Sequence, residues 1–278
     1  MPGMVYGTAW KKERTAALVT RAVRAGFKGV DTAGQPKHYH EAGVGEALRE
    51  LQAKDGIAPS DLFLQTKFSP VHAQDPNRMQ YDPSLPIRQQ VAASWAKSKE
   101  NLGVDRVDSL VLHGPYGTLR ETMEAWRGME DVHRSGGARQ LGLSNVYDPG
   151  LFEAVWEAAE VKPAVVQNRF YPDSGYDVEL RRALGERGVV YQSFWTLTAN
   201  DHVWQGPEVA AIAESRGETP QQVWFRFVMQ LGKNVPLSGT TSDGHMDEDV
   251  AITTAGGAAG LTQEEMELVA ARARIPLG

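Results

Sequence analysis

The chain has no cysteine in its 278 residues. That absence excludes disulfide scaffolds, thiol nucleophiles and cysteine-bound metal sites together. It also lacks any apolar run near the ~18 residues that a spanning helix needs, so no membrane segment is expected. Residues 1–20 carry Lys11, Lys12, Glu13 and Arg14 and no sustained apolar core, so no signal peptide is read there and a cytoplasmic location is the default. An excess of basic charge is missing too. With 29 basic and 35 acidic residues the formal charge is −6, which argues against wrapping nucleic acid or lying on anionic lipid. A phosphorylated small molecule is still allowed, because local donors decide its binding. What remains, 41% hydrophobic and 23% charged, is the composition of an ordinary globular protein.

Strand-like runs alternate with amphipathic helices. Val5–Gly7, Gly29–Asp31, Leu62–Lys67, Val107–His113, 138–143, 164–167, 189–193 and 234–237 read as strands. Helices are expected over 13–25, 42–54 and 87–102, after Thr118, after Asp148-Pro149, over 177–187, after Thr219-Pro220, at Asp243 and after Thr262. Thr118 with Glu121, and Thr262 with Glu265, have capping-box spacing. Leu119, Met123, Trp126 and Met129 are expected to face inward, as are Phe152, Val155, Trp156 and Ala159. Eight βα units in this length fit a single (β/α)8 barrel domain over 1–278, the TIM barrel of α/β proteins. The rival is a doubly wound open sheet, but the first βα turn has no glycine-rich dinucleotide fingerprint. Two segments break the rhythm. Ser69–Pro86, with Pro70, Pro76, Pro83 and Pro86, reads as a flap over the active face, and Thr196–Gly206 as a second insertion.

Asp31, Lys67 and His113 end three apolar strands, and Tyr39 lies in the loop after the first of them. Ionisable residues are costly at the end of a buried strand unless they have partners. The C-terminal strand ends of a parallel barrel form the face that carries its chemistry. Together there, these four residues make a proton-delivery site. Singly, each also fits a bland role: a helix cap, a surface pair or a core histidine.

Five motifs in order resemble the aldo-keto reductases: Gly7-Thr8-Ala9-Trp10, Gly26-Phe27-Lys28-Gly29-Val30-Asp31-Thr32-Ala33, Thr66-Lys67, Leu112-His113-Gly114-Pro115 and Gly142-Leu143-Ser144-Asn145. The resemblance implies a (β/α)8 barrel that reduces carbonyls with NAD(P)H, without a metal, and as a monomer. It makes Tyr39 the general acid, Lys67 the cation that lowers its pKa, Asp31 the partner that holds Lys67, and His113 a donor to the substrate oxygen. Here Tyr39 stands eight residues after Asp31 where the family has five, through Gly34-Gln35-Pro36-Lys37-His38. His38 and His40 flank it, as loop histidines or as alternative donors.

The same resemblance assigns a cofactor site. Gly7, Thr8, Ala9 and Asp31 would approach it from the first two strands. Ser144, Asn145 and Gln167 would grip a nicotinamide carboxamide. Gln192 replaces the usual stacking aromatic, followed by Ser193, Phe194, Trp195 and Leu197, of which Phe194 and Trp195 are candidates to take its place. Ser238, Gly239, Thr240, Thr241 and His245 would bind phosphate, and Glu248 and Asp249 the adenine. Leu237 and His245 stand where NADP-preferring members carry Lys and Arg; the hydroxyl-rich loop nevertheless favours NADP(H) over NAD(H), with weakened discrimination. Trp10, Tyr39, Phe68, His113 and Trp195 would line a pocket for a small carbonyl substrate. The chain ends soon after its last helix, without the longer terminal loop of many members, which implies an open site. Three other readings stay open: imine reduction, a cofactor-sensing subunit with little turnover, and a lyase or isomerase with a Schiff base on Lys67.

Overall fold

The computed structural model describes residues 1–253 and 259–277. Eight strands close into one parallel barrel in sequence order: β1 Val5–Gly7, β2 Gly29–Asp31, β3 Phe63–Phe68, β4 Val107–Leu112, β5 Ala138–Ser144, β6 Val165–Arg169, β7 Val190–Phe194 and β8 Asn234–Ser238. Closure pairs β8 with β1, where Tyr6 is in register with Ser238, and Gly7 pairs in turn with Asp31 of β2. All eight expected strands are present, with ends shifted by one or two residues.

The helices pack outside. In chain order they are α1 Thr15–Ala25, α2 Glu41–Asp55, α3 Ile87–Leu102, α4 Leu119–Arg134, α5 Pro149–Ala158, α6 Val178–Glu186, α7 Asp201–Trp204, α8 Pro207–Arg216, α9 Pro220–Gln230, α10 Asp243–Ala251 and α11 Gln263–Ala273. Start signals behave as capping chemistry requires. Asp148 accepts from the Gly150 N–H at 2.8 Å, and Thr262 and Glu265 form a reciprocal box. Thr118 accepts from the Glu121 N–H, but the Glu121 carboxylate takes the Thr118 hydroxyl proton at 2.6 Å instead of returning to the backbone.

Three packing expectations are corrected. Leu119 is 41% exposed, because the first turn of α4 projects beyond the barrel; Met123, Trp126 and Met129 carry the buried stripe. Trp156 is half-buried: its ring meets Phe152 inside and Lys162 and Arg187 outside. The region after β7 holds two helices, α7 and α8, where a plain insertion through Gly206 was expected. The two fully buried indoles, Trp126 and Trp224, keep their N–H groups satisfied. Trp126 donates to the Val161 carbonyl at 3.1 Å and Trp224 to that of Thr196 at 2.6 Å.

Strand alternation sorts the barrel lumen from the helix layer. On β3, Gln65 and Lys67 point inward to Asp31, while Thr66 donates outward to the buried Glu41 of α2 and Phe68 packs outward on Tyr81. The lumen below the active face is polar. Gln65 and Gln167 each donate to Asp31 and to Gln192, at 2.7 to 3.1 Å.

Candidate active site

Lys67 is fully buried and donates to both carboxylate oxygens of Asp31 at 2.6 Å and to the Thr32 carbonyl at 2.9 Å. All three ammonium protons are thereby used. Burial pushes the lysine pKa down, and Asp31 opposes that shift. The Lys67 ammonium stands 5.0 Å from the centroid of the Tyr39 ring. Tyr39 in turn meets the His113 ring edge-on at 5.7 Å. The three residues expected at strand ends and Tyr39 of the following loop are therefore brought together.

One electrostatic expectation is reversed. Lys67 was expected to acidify Tyr39, yet the Tyr39 pKa is raised, first by burial and then by the Asp31 carboxylate. The cause is the short pair itself. With its charge spent on Asp31, Lys67 presents a near-neutral ion pair to the phenol, and desolvation dominates. Tyr39 thus keeps its proton throughout the neutral range.

His113 is held neutral, its pKa lowered well below the usual imidazole value by burial, Lys67 and His38 in that order. Its Nδ1 lies 2.6 Å from the Ser69 hydroxyl. That hydroxyl has no other partner among the described residues, and when it donates to Nδ1 the ring proton sits on Nε2. Ser69 is itself fixed by its carbonyl, which accepts from Tyr81 at 2.7 Å and Gln74 at 3.2 Å. The flap is thus pinned at its first residue. Further along, Ala73 lines the cavity and its carbonyl accepts from Gln35 at 2.6 Å.

Above these groups opens a cavity of about 750 Å³, the size of an organic ligand site. Asp31, Tyr39 and His113 form part of its wall, and Lys67 lies beneath it. Trp10 and Trp195 line it as expected, 61% and 50% exposed. Phe68 does not: it faces the helix layer and is core. His38 lines the cavity, its ring tilted by 36° against Trp10 with centroids 4.0 Å apart, whereas His40 turns away with Nδ1 3.3 Å from the Lys12 carbonyl.

Of the expected cofactor residues, Gly7, Ala9, Ser144, Asn145 and Gln167 reach the wall, as do Phe194, Trp195 and Leu197. Ser238, Gly239, Thr240, His245, Glu248 and Asp249 continue it beyond β8. Four do not reach it. Gln192 is fully buried, its amide oxygen accepting from Gln65 and Gln167 in the lumen floor. Ser193 alternates to the helix side and takes the Thr196 hydroxyl at 3.1 Å. Thr8 is buried, its hydroxyl donating to the Asp31 carbonyl at 2.8 Å, and Thr241 is exposed away from the wall.

Sequence reasoning missed two cations. Lys11 lines the cavity, and its ammonium donates to the Gly239 carbonyl in the hydroxyl-rich loop. Barrel closure is the signal that places it there, because the loop after β1 must adjoin β8. Arg169, at the end of β6, also lines the cavity.

The donor set fits a dinucleotide. Ser144, Asn145 and Gln167 place polar side chains in the same cavity as Tyr39 and His113. Lys11, Thr240 and the N-terminus of α10 offer a cation, a hydroxyl and backbone N–H groups for phosphate, while the buried Ser238 donates its hydroxyl to Asp249. Among the described residues there is no metal-ligating cluster, and no helix is long and apolar enough to cross a membrane.

Comparison with known proteins gives a consistent result. Residues 3–190 match the model of the aldo/keto reductase family. An aldo-keto reductase of Mycobacterium tuberculosis is 32% identical over 236 residues, covering 84% of this chain and 76% of that protein. One from Mycolicibacterium vanbaalenii is 32% identical over 224 residues, covering 81% and 72%. The crystal structure of an aldo/keto reductase from Brucella melitensis superposes with a TM-score of 0.81 at 22% identity, covering 98% of this chain and 95% of that one.

Proposed function

The chain belongs to the aldo/keto reductase family, oxidoreductases that act on carbonyl groups with a nicotinamide cofactor, and from that premise we propose that it reduces an aldehyde or ketone to an alcohol with Tyr39 as general acid and NADP(H) as the favoured cofactor. The observation that carries this reading is the grouping of a protonated phenol, a neutral imidazole and a buried Asp31–Lys67 pair under one cavity.

A reduced nicotinamide, when bound, supplies hydride. Ser144, Asn145 and Gln167 are the residues that would hold its carboxamide. The rest of the work belongs to this chain. Nε2–H of His113 donates to the carbonyl oxygen and polarises it. Tyr39 then delivers its proton to that oxygen as negative charge develops there. The raised pKa keeps the acid loaded across the neutral range. Asp31 keeps Lys67 charged against its burial.

NADP(H) preference is supported by Lys11 and Thr240, with a lysine from across the β8–β1 seam in place of the missing cations at Leu237 and His245. The reading takes the protein as a cytoplasmic monomer acting on a small molecule.

Tyr39→Phe tests the acid. Turnover of an aromatic aldehyde should fall by at least about a hundredfold, with NADPH affinity unchanged by tryptophan fluorescence. Retention of most of the turnover would remove Tyr39 from the role and pass it to His38.

A further inference from the structure

Arg169 has a position and a lack of partners that the reaction described so far does not use. It ends β6, two residues after Gln167, and lines the cavity. Its guanidinium lies 4.0 Å from the centroid of the Trp195 ring and 5.2 Å from that of Tyr171. Among the described residues it has no ion pair, and its buried Nε has no hydrogen-bond partner. The other strong cations of the site are engaged: Lys67 with Asp31, and Lys11 with the Gly239 carbonyl. A desolvated, unpaired donor on a cation is costly unless something completes it.

Its support is purpose-shaped. Trp195 adopts the left-handed backbone region (φ 57°), which disfavours a bulky side chain, and yet leaves its indole 50% exposed. That strain holds a flat shelf under the guanidinium, and stacking there leaves the N–H edge free. A stacked guanidinium with a free edge is a bidentate seat for a carboxylate or a phosphate. The nucleotide phosphates have a separate candidate seat at the β8–β1 seam, at Lys11 and Thr240. Arg169 lies instead beside Gln167, whose amide touches the catalytic Asp31.

We propose that the substrate is a carbonyl compound bearing a carboxylate, received by Arg169 on its Trp195 shelf, with an apolar or aromatic body against Trp10. This rests on the carbonyl-reductase reading. The carboxylate takes no part in the electron flow: the carbonyl carbon gains hydride from the reduced nicotinamide, its oxygen gains the Tyr39 proton, and the anion fixes orientation.

The test compares 4-carboxybenzaldehyde with its methyl ester, using NADPH and the full chain. Arg169→Met keeps the stem over Trp195 and removes the charge. It should lower kcat/KM for the carboxylate by about tenfold to a hundredfold, mainly through KM, the factor a charge-assisted hydrogen bond carries. The ester should change by less than about threefold, NADPH affinity should hold, and Arg169→Lys should keep part of the preference. Binding of 4-(hydroxymethyl)benzoate, read by tryptophan fluorescence, should weaken in parallel and does not depend on turnover. Equal effects on acid and ester, with unchanged benzoate binding, would overturn the proposal. So would a loss of NADPH affinity in place of the carboxylate preference, which would assign the anion to the cofactor. Failure of the wild type to reduce either aldehyde would count against the reductase reading, while the benzoate titration would still decide the seat.

Discussion

Asp31→Asn removes the charge from one half of an ion pair whose side chains are 0% and 2% exposed. The Lys67 ammonium would keep the Thr32 carbonyl at 2.9 Å and the more distant Glu41, but lose its two carboxylate contacts at 2.6 Å. The new amide would also set an NH2 group among the Gln65 and Gln167 donors that now point at Asp31. Breaking a buried pair on one side costs about 3–5 kcal/mol. For a domain whose total stability is about 5–15 kcal/mol, that is a large share. Relief comes only by deprotonating Lys67, whose pKa is already lowered by burial. The sign follows. The folded variant binds fewer protons than its unfolded chain between the depressed pKa and about 10.4, so its stability rises with pH across that window. Urea unfolding should show a deficit of about 3–5 kcal/mol at neutral pH that shrinks towards about pH 10. The double variant Asp31→Asn with Lys67→Met should recover most of it, since no charge is then left buried. A deficit under ~1 kcal/mol at neutral pH, or one that ignores pH, would refute the electrostatic account of the site.

Ser69→Ala should let the Nδ1–H tautomer of His113 appear in imidazole 15N spectra and lower kcat about tenfold, with Ser69→Thr restoring both; an unchanged tautomer would show that Ser69 does not set it. Asp249, raised from 3.8 to about 6 by burial, holds its proton longer in the folded chain than in the unfolded one. Fold stability should therefore fall as pH rises from about 4 to about 6, by about 3 kcal/mol at most, and Asp249→Asn should remove that slope in thermal melts across pH. Lys11→Met should weaken NADPH more than NADH by fluorescence titration; equal losses would place Lys11 away from the distinguishing phosphate.

The sequence makes the barrel and its polar corner legible because strand ends are marked twice: an apolar run stops, and a costly polar residue stops it. Asp31, Lys67 and His113 carry that mark, and the structure gathers them with Tyr39. Strand parity decides Phe68 and Ser193: once Lys67 faces Asp31 its neighbour Phe68 must face the helices, and Ser193 does the same beside the lumen-facing Gln192, which lies below the cavity and accepts from Gln65 and Gln167. Leu119 fooled a capping argument that locates the start of a helix but not the direction its first turn faces. The helix α8 had a readable stripe in Val209, Ile212 and Ala213, left unassigned beside an insertion. Lys11 and Arg169 lay beyond reach for another reason. Their importance comes from neighbours across the barrel, Gly239 for one and Trp195 for the other, and from partners that are absent. No local pattern encodes either.

The central claim is carbonyl reduction in the cavity over Tyr39. Trp10, Trp195 and Trp204 line that cavity, so their fluorescence reports nucleotide binding directly. The measurement is a titration with NADPH, followed at saturation by an aromatic aldehyde, with reduced-nicotinamide absorbance and alcohol formed recorded together. The account predicts saturable quenching and one alcohol per nicotinamide oxidised. Saturable binding with no turnover of any aldehyde, or no binding of NADPH or NADH at all, would contradict it.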